Sequence, residues 1–144
     1  MADLIERGAD PSSIYRSIYE EGSANRVQLL GLVLSTLELA HEGRVASMKV
    51  TREMFRRTST AEEDIENFIN YALTISGVQI ALLFTELAEG IKISFRSRGS
   101  IAVNKLAQEF GGNGHTNAAG TRIASGTLDS VRDRVIARSI DYLA

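Results

Sequence analysis

Residues 91–96 alternate strictly: Ile91, Ile93 and Phe95 fall on one side of an extended chain, Lys92, Ser94 and Arg96 on the other. That period predicts a strand with one buried face. Residues 78–86 form a dense apolar run, which predicts a strand covered on both faces, and Ala88, Glu89 and Gly90 supply the turn between the two. A third strand is predicted over residues 44–51, with Ala46, Met48 and Val50 on a common face. Helical patterning fills the intervals. A helix capped by Ser23 or Asn25 runs to Ala40, apolar on nearly every side and so expected to be central and mostly buried, with Gly43 stopping it. A second helical region spans residues 52–71, with Glu62, Glu63, Asp64 and Glu66 gathered near the start of its later half. A short helix over 103–110 precedes a glycine-rich loop, and a brief strand over 118–123 follows it. The last helix puts Leu128, Val131, Val135, Ile136, Ile140 and Leu143 on one side, with Thr127 as its cap. The sum is an α/β fold: a single mixed-sheet domain with flanking helices.

Composition narrows the setting. At 144 residues the chain suits one domain of the usual size, roughly 100 to 200 residues. It has no cysteine, which excludes a disulfide framework, a thiolate zinc site and a cysteine nucleophile, and which fits a reducing compartment; a cytoplasmic location is expected. Its richest apolar stretch, residues 27–40, is interrupted by polar residues and too short to span a bilayer, so no membrane partner is expected. Residues 1–22 hold a short helix-like segment, 2–7, closed by Gly8 and Pro11, and read as a linker or the tail of a preceding domain, with the domain proper over 23–144. The net charge of -2 argues against coating nucleic acid by bulk electrostatics. Charge is uneven, however. Residues 1–89 carry 8 basic against 14 acidic groups, whereas 90–125 carry Lys92, Arg96, Arg98, Lys105 and Arg122 against Glu109 alone. The split points to an anion-seeking segment in this second stretch, with a solvated strand face as the plain alternative.

Two motifs there carry chemistry. Gly111, Gly112, Asn113, Gly114 and His115 offer backbone N–H groups unobstructed by side chains, an asparagine that tolerates positive φ, and an imidazole that titrates near neutrality, which together suit phosphate oxygens. The plain alternative is a helix C-cap at Gly111 followed by a loose surface loop. Arg96, Ser97 and Arg98, closed by Gly99, present planar guanidinium forks able to grip phosphate; if the strand continues two residues, Lys92, Arg96 and Arg98 share a face. Solvated strand arginines are the alternative. His41 reads as a histidine at a helix C-terminus, the acidic set as a solvated helix face, and Asn104 and Asn117 as caps or braces of the loop. Two histidines in all, far apart in sequence and without a His-x-Asp or Asp-His-His cluster, leave no complete two-metal hydrolytic centre. No catalytic residue and no metal ligand is assigned.

The loop 111–120 with Thr121, Arg122 and Ile123, the strand 91–99 ending in Arg96, Ser97 and Arg98, and the helix residues Leu29, Leu30 and Gly31 through Glu38 resemble the DHH-associated C-terminal domain of DHH phosphoesterases. The type most similar is the bacterial oligoribonuclease and phosphoadenosine phosphatase group, akin to enzymes degrading cyclic dinucleotides. The resemblance extends over about residues 5–123, with Asn113 where the family has a further glycine. It implies a substrate-binding domain whose Arg96, Arg98, Gly112, Gly114 and His115 contact a nucleotide phosphate, while a separate N-terminal DHH domain binds manganese and hydrolyses the ester. The implied ligands are short oligoribonucleotides, dinucleotides or phosphoadenosine phosphate, and the isolated chain is expected to be inactive. Three charge-assisted contacts contribute about 5–9 kcal/mol against an association cost of at least about 4, so binding of a mononucleotide by this domain alone is expected in the high micromolar to millimolar range or weaker. The alternative function is a non-catalytic nucleic-acid or tRNA-binding module like the C-terminal domain of alanyl-tRNA synthetases; a homodimerisation domain whose loop binds nothing is a third.

Overall fold

The computed structural model describes residues 23–144. The helix-like segment 2–7 and the linker 1–22 lie outside the described residues. Six strands form one sheet in the order β1-β2-β3-β4-β6-β5: β1 (Glu38–Ala40), β2 (Val45–Val50), β3 (Ile80–Glu86), β4 (Ile91–Ser97), β5 (Asn113–His115) and β6 (Ala118–Ile123). Among the described residues only β2 and β3 pair in parallel, joined by a helical crossover. The helices are α1 (Ala24–Leu34), α2 (Arg52–Thr58), α3 (Ile69–Leu73), α4 (Val103–Glu109) and α5 (Leu128–Ser139).

Strand β3 feeds two cores at once, as its unbroken apolar run requires. Ile80, Leu82 and Phe84 join Ile91, Ile93 and Phe95 of β4, together with Leu106 of α4 and Val131 and Val135 of α5. Ala81 and Leu83 join Ala46, Met48 and Val50 of β2, under Leu29 and Val33 of α1 and Ile69 and Ala72 of α3. The second core contains no residue of β4, β5 or β6. On that face α3 packs alongside β4, so the polar side chains of β4 lie beside the segment that carries Ile65 and Ile69, and neither β5 nor β6 contributes to the second core.

Two helical expectations fail. The helix expected to reach Ala40 ends at Leu34, because Ser35 and Thr36 turn their hydroxyls onto the carbonyls of Leu32 and Val33. Thr36 also accepts the Lys49 N–H, and the next residues pair with β2 as β1. Nor is α1 central: only Leu29 and Val33 are buried, and Val27 is 63% exposed. The region 52–71 is three short pieces rather than one helix. Ser59 in the left-handed conformation closes α2, residues Glu62–Ile65 form a 3-10 turn, and Asn67, also at positive φ, precedes α3. His41, expected at a helix C-terminus, stands at positive φ in the turn between β1 and β2, and its Nε2 donates to the Ile136 carbonyl at 2.8 Å, tying that turn to α5. The caps at Ser23 and Thr127 are formed as expected. No helix among the described residues is long and apolar enough to cross a membrane.

Candidate functional site

Antiparallel pairing fixes which side chains share the open face. Arg96 lies opposite Ala118, and Ala118 opposite His115. Residues directly opposite across a ladder point to the same side, so Arg96 and His115 stand in one row, two strands or about 10 Å apart at the backbone. The next row runs Leu83, Ser94, Gly120, Asn113, and the third Thr85, Lys92, Arg122. Cations thus occupy both ends of the face, roughly 13 Å apart along the strands, and the small residues Ser94 and Gly120 form a low floor between them.

A cavity of about 500 Å³ adjoins this floor, lined by Lys92, Ser94 and Arg96 on one side and by Glu62, Glu66 and Asn67 on the other. Arg96 spends one guanidinium N–H on the Phe95 carbonyl at 3.0 Å, and no carboxylate among the described residues pairs with it. His115 and Asn113 are exposed, two strands from Arg96 and not among the residues lining this cavity. Arg98 lies one step beyond β4, where its N–H still bonds the Gln79 carbonyl at 3.1 Å, and its side chain is exposed.

The other residues expected to bind phosphate are placed differently. Ser97 belongs to the opposite, buried face; its hydroxyl donates to the Ile101 carbonyl at 2.7 Å and accepts from Asn117 Nδ2 at 3.0 Å. It braces the end of β4. Gly111 and Gly112 finish α4: the Gly111 N–H bonds Gln108 O at 3.1 Å and the Gly112 N–H bonds Ala107 O at 2.9 Å, the paired closure of a Schellman motif. The Gly114 N–H is taken by Asn113 Oδ1 at 2.8 Å. These three amides have acceptors inside the chain, so the expected cradle of free N–H groups is not present at them. Glycine is required for a different reason. A Cβ at Gly112 would lie 2.3 Å from Gly120 O, and one at Gly114 would lie 2.5 Å from Ala119 Cα, so both residues let β5 and its approach lie against β6. The glycines position His115 and Asn113, and side chains are what the face offers an anion.

Asn117 braces the loop as expected, bonding Ser97 and Gly99. Asn104 does not cap α4, and its Oδ1 is buried without a hydrogen-bond partner among the described residues. The acidic set is not merely a solvated face, because Glu62 Oε2 accepts from Lys92 Nζ at 3.2 Å and Arg122 Nη2 at 2.8 Å. Nothing local marks Glu62 for this role; its partners are 30 and 60 residues away. Burial pushes the Glu62 carboxyl up, but Lys92 and Arg122 outweigh it and hold the group below its usual value of 4.5. Glu109 is lowered as well, by hydrogen bonds from Arg138 and Tyr142 that exceed the effect of burial. Both carboxyls bind protons less readily folded than unfolded. Their contribution to stability is complete above the ordinary carboxylate range and is lost as pH falls through their lowered values. Denaturant midpoints measured from about pH 6 to pH 3 should therefore decline, and Glu62→Gln should flatten part of that decline; an unchanged profile would contradict the ion triad.

Comparison with known proteins places these observations in a family. Residues 43–140 match the DHHA1 domain. The chain is 30% identical over 109 residues to the bifunctional oligoribonuclease and PAP phosphatase NrnA of Thermus thermophilus, covering 76% of this chain and 32% of that protein. It is 28% identical over 123 residues to the protein of the same name in Bacillus subtilis, covering 85% and 38%. The chain thus spans about a third of the length of the curated relatives it matches. Among solved structures, an exopolyphosphatase-related protein from Bacteroides fragilis superposes with a TM-score of 0.79 at 32% identity, over 96% of this chain and 42% of that one. The pGpG-specific phosphodiesterase PggH of Vibrio cholerae, at 18% identity and a TM-score of 0.61 over 93% and 44%, shares the fold. With the mixed sheet, the arginine strand and the glycine-histidine hairpin all present in the matched span, the chain belongs to the DHHA1 family, the DHH-associated domain of DHH phosphoesterases.

Proposed function

We propose that this chain is the nucleotide-binding domain of a DHH phosphodiesterase acting on short oligoribonucleotides, dinucleotides or phosphoadenosine phosphate. The observation that carries this reading is the cross-strand row of Arg96, Ala118 and His115, of which Arg96 lines a cavity large enough for a nucleotide. Arg96 supplies a planar fork to the phosphate, His115 and Asn113 supply donors from the neighbouring hairpin, and the low floor at Ser94 and Gly120 leaves room for the ribose. Holding the phosphate in this way orients the ester for attack at a centre carried by the partner DHH domain, and the contribution of this domain is position rather than bond chemistry.

Manganese belongs to that partner domain in this reading. Among the described residues no three His, Cys, Asp or Glu side chains are grouped to hold a metal ion, so these residues do not fit one. The acidic side of the cavity, Glu62, Glu63 and Glu66, favours a short ligand over a long RNA, whose successive phosphates would meet those carboxylates. Two measurements test the proposal. Calorimetric titration with adenosine 5'-monophosphate should give millimolar or high-micromolar binding that disappears in Arg96→Ala. Incubating the 144-residue chain with manganese and a dinucleotide should give no hydrolysis. Absence of binding, or turnover by the pure chain, would contradict it.

A further inference from the structure

The wall of the cavity across from β4 is built by residues 62–69, and Asn67 stands in it with an uncommitted side chain. Buried residues fix the backbone on both sides of it. Ile65, Phe68 and Ile69 all belong to the second core, and the Arg26 guanidinium lies over the Phe68 ring, 4.8 Å from its centroid. Much of the polar chemistry around Asn67 is already engaged. Glu62 takes Lys92 and Arg122, Asp64 Oδ2 takes the Ala61 N–H, and the Glu66 carbonyl accepts from Arg26 Nη2 at 3.0 Å. The Asn67 carbonyl accepts the Asn70 N–H at 3.1 Å, but the side-chain amide of Asn67 has no hydrogen-bond partner among the described residues. Asn67 is exposed, and the cavity it lines opposite Arg96 is also lined by Ile65, Ile69 and Leu83.

Resting on the phosphate site proposed above, we infer that Asn67 is the residue that binds the nucleobase, and that it accepts any of the four bases. A phosphate held by Arg96 leaves the ribose and base to fill the cavity towards residues 62–69. There the faces of the base meet Ile65, Ile69 and Leu83, and its edge meets Asn67. Every base presents a donor beside an acceptor on its Watson–Crick edge, N6–H and N1 in adenine, N3–H and O4 in uracil. A primary amide carries the complementary pair and serves either order by a half-turn about its last bond. The contact therefore adds affinity for a base without selecting one, as a site for oligoribonucleotides of mixed sequence needs. Asn67 has φ +70, a conformation that asparagine tolerates and glycine adopts freely. Backbone conformation alone would also account for an asparagine here, and glycine at this position separates the two roles.

The test titrates the 144-residue chain with adenosine 5'-monophosphate, uridine 5'-monophosphate and ribose 5-phosphate, following the Arg96 Nε–H and Asn67 side-chain amide signals by NMR. Arg96 should shift with all three ligands, and Asn67 with the two nucleotides only. Asn67→Gly, which keeps the turn, should weaken both nucleotides about two- to tenfold and leave ribose 5-phosphate unchanged. Nucleotide affinities in that variant equal to those of the native chain overturn the inference and leave asparagine there for its backbone conformation alone. An Asn67 signal that moves equally with ribose 5-phosphate also overturns it, as does a loss in the variant that ribose 5-phosphate shares, which would mark a structural role. A loss confined to one nucleotide overturns the claim that the amide serves any base. In each of these cases the phosphate site stands. Arg96 and His115 signals that move with none of the ligands at millimolar concentration overturn the phosphate site and the inference with it.

Discussion

Replacing Gly112 by alanine should destabilise the domain by about 2–3 kcal/mol and lower its melting temperature by about 5–10 °C. The added Cβ would fall 2.3 Å from the Gly120 carbonyl oxygen and 2.4 Å from Thr121 Cβ, and the first of these is backbone that cannot swing aside. Relief requires β5 and its approach to move off β6, which carries His115 and Asn113 away from Arg96. Loss of nucleotide binding should therefore accompany the loss of stability. Gly111→Ala is the control. Gly111 has φ +84 but open space around its Cβ position, so that variant should cost only about 1–2 kcal/mol of backbone strain and leave β5 seated. Equal melting curves for Gly112→Ala and the native chain would show that the close approach to β6 is not what demands glycine.

Arg96→Ala should abolish measurable nucleotide binding. One charge-assisted contact contributes about 1.5–3 kcal/mol, so removing it lowers affinity by roughly 10- to 150-fold. Starting from the high micromolar to millimolar range, such a loss puts binding beyond reach of a titration. Arg96 is only half-buried and packs no apolar core, so the fold should persist, which unchanged far-ultraviolet circular dichroism would verify. Arg98→Ala, beyond the strand end and exposed, should cost only a few-fold. Comparable losses in the two variants would mean that the phosphate lies over the turn at Gly99 instead of over the row shared by Arg96 and His115.

Much of the fold was legible because its signal is local. The strict alternation of β4 put Ile91, Ile93 and Phe95 in the core and Arg96 on the open face, and the doubly covered run of β3 announced a central strand. The amphipathic stripe and Thr127 cap did the same for α5. The errors arose where long-range pairing decides. Glu38, Leu39 and Ala40 are too few to show a period of two, and they became a strand only because β2 lies beside them. Leu37 and Leu39 prolong the apolar pattern of α1 although Ser35 and Thr36 have already turned the chain.

The residues of the candidate site could be named from the sequence more readily than their placement. Arg96, Asn113 and His115 could be picked out, and the register of β4, β6 and β5 brings them to one face. Ser97 could not be assigned to the opposite face without fixing where the strand ends, and the glycines could not be recognised as close-contact positions without the strand they touch. Glu62 was hidden for the same reason, since helical spacing relates it to its neighbours in sequence and says nothing of Lys92 or Arg122.

The shared row of Arg96 and His115 is the claim on which the function rests. Titrating the isotopically labelled 144-residue chain with adenosine 5'-monophosphate to millimolar concentration, and following every backbone amide together with the arginine Nε signals, tests it most directly. Saturable shifts confined to Arg96, Asn113, His115 and the adjoining residues of β6 are the predicted result. Shifts that map elsewhere, or a spectrum that does not change, would contradict it.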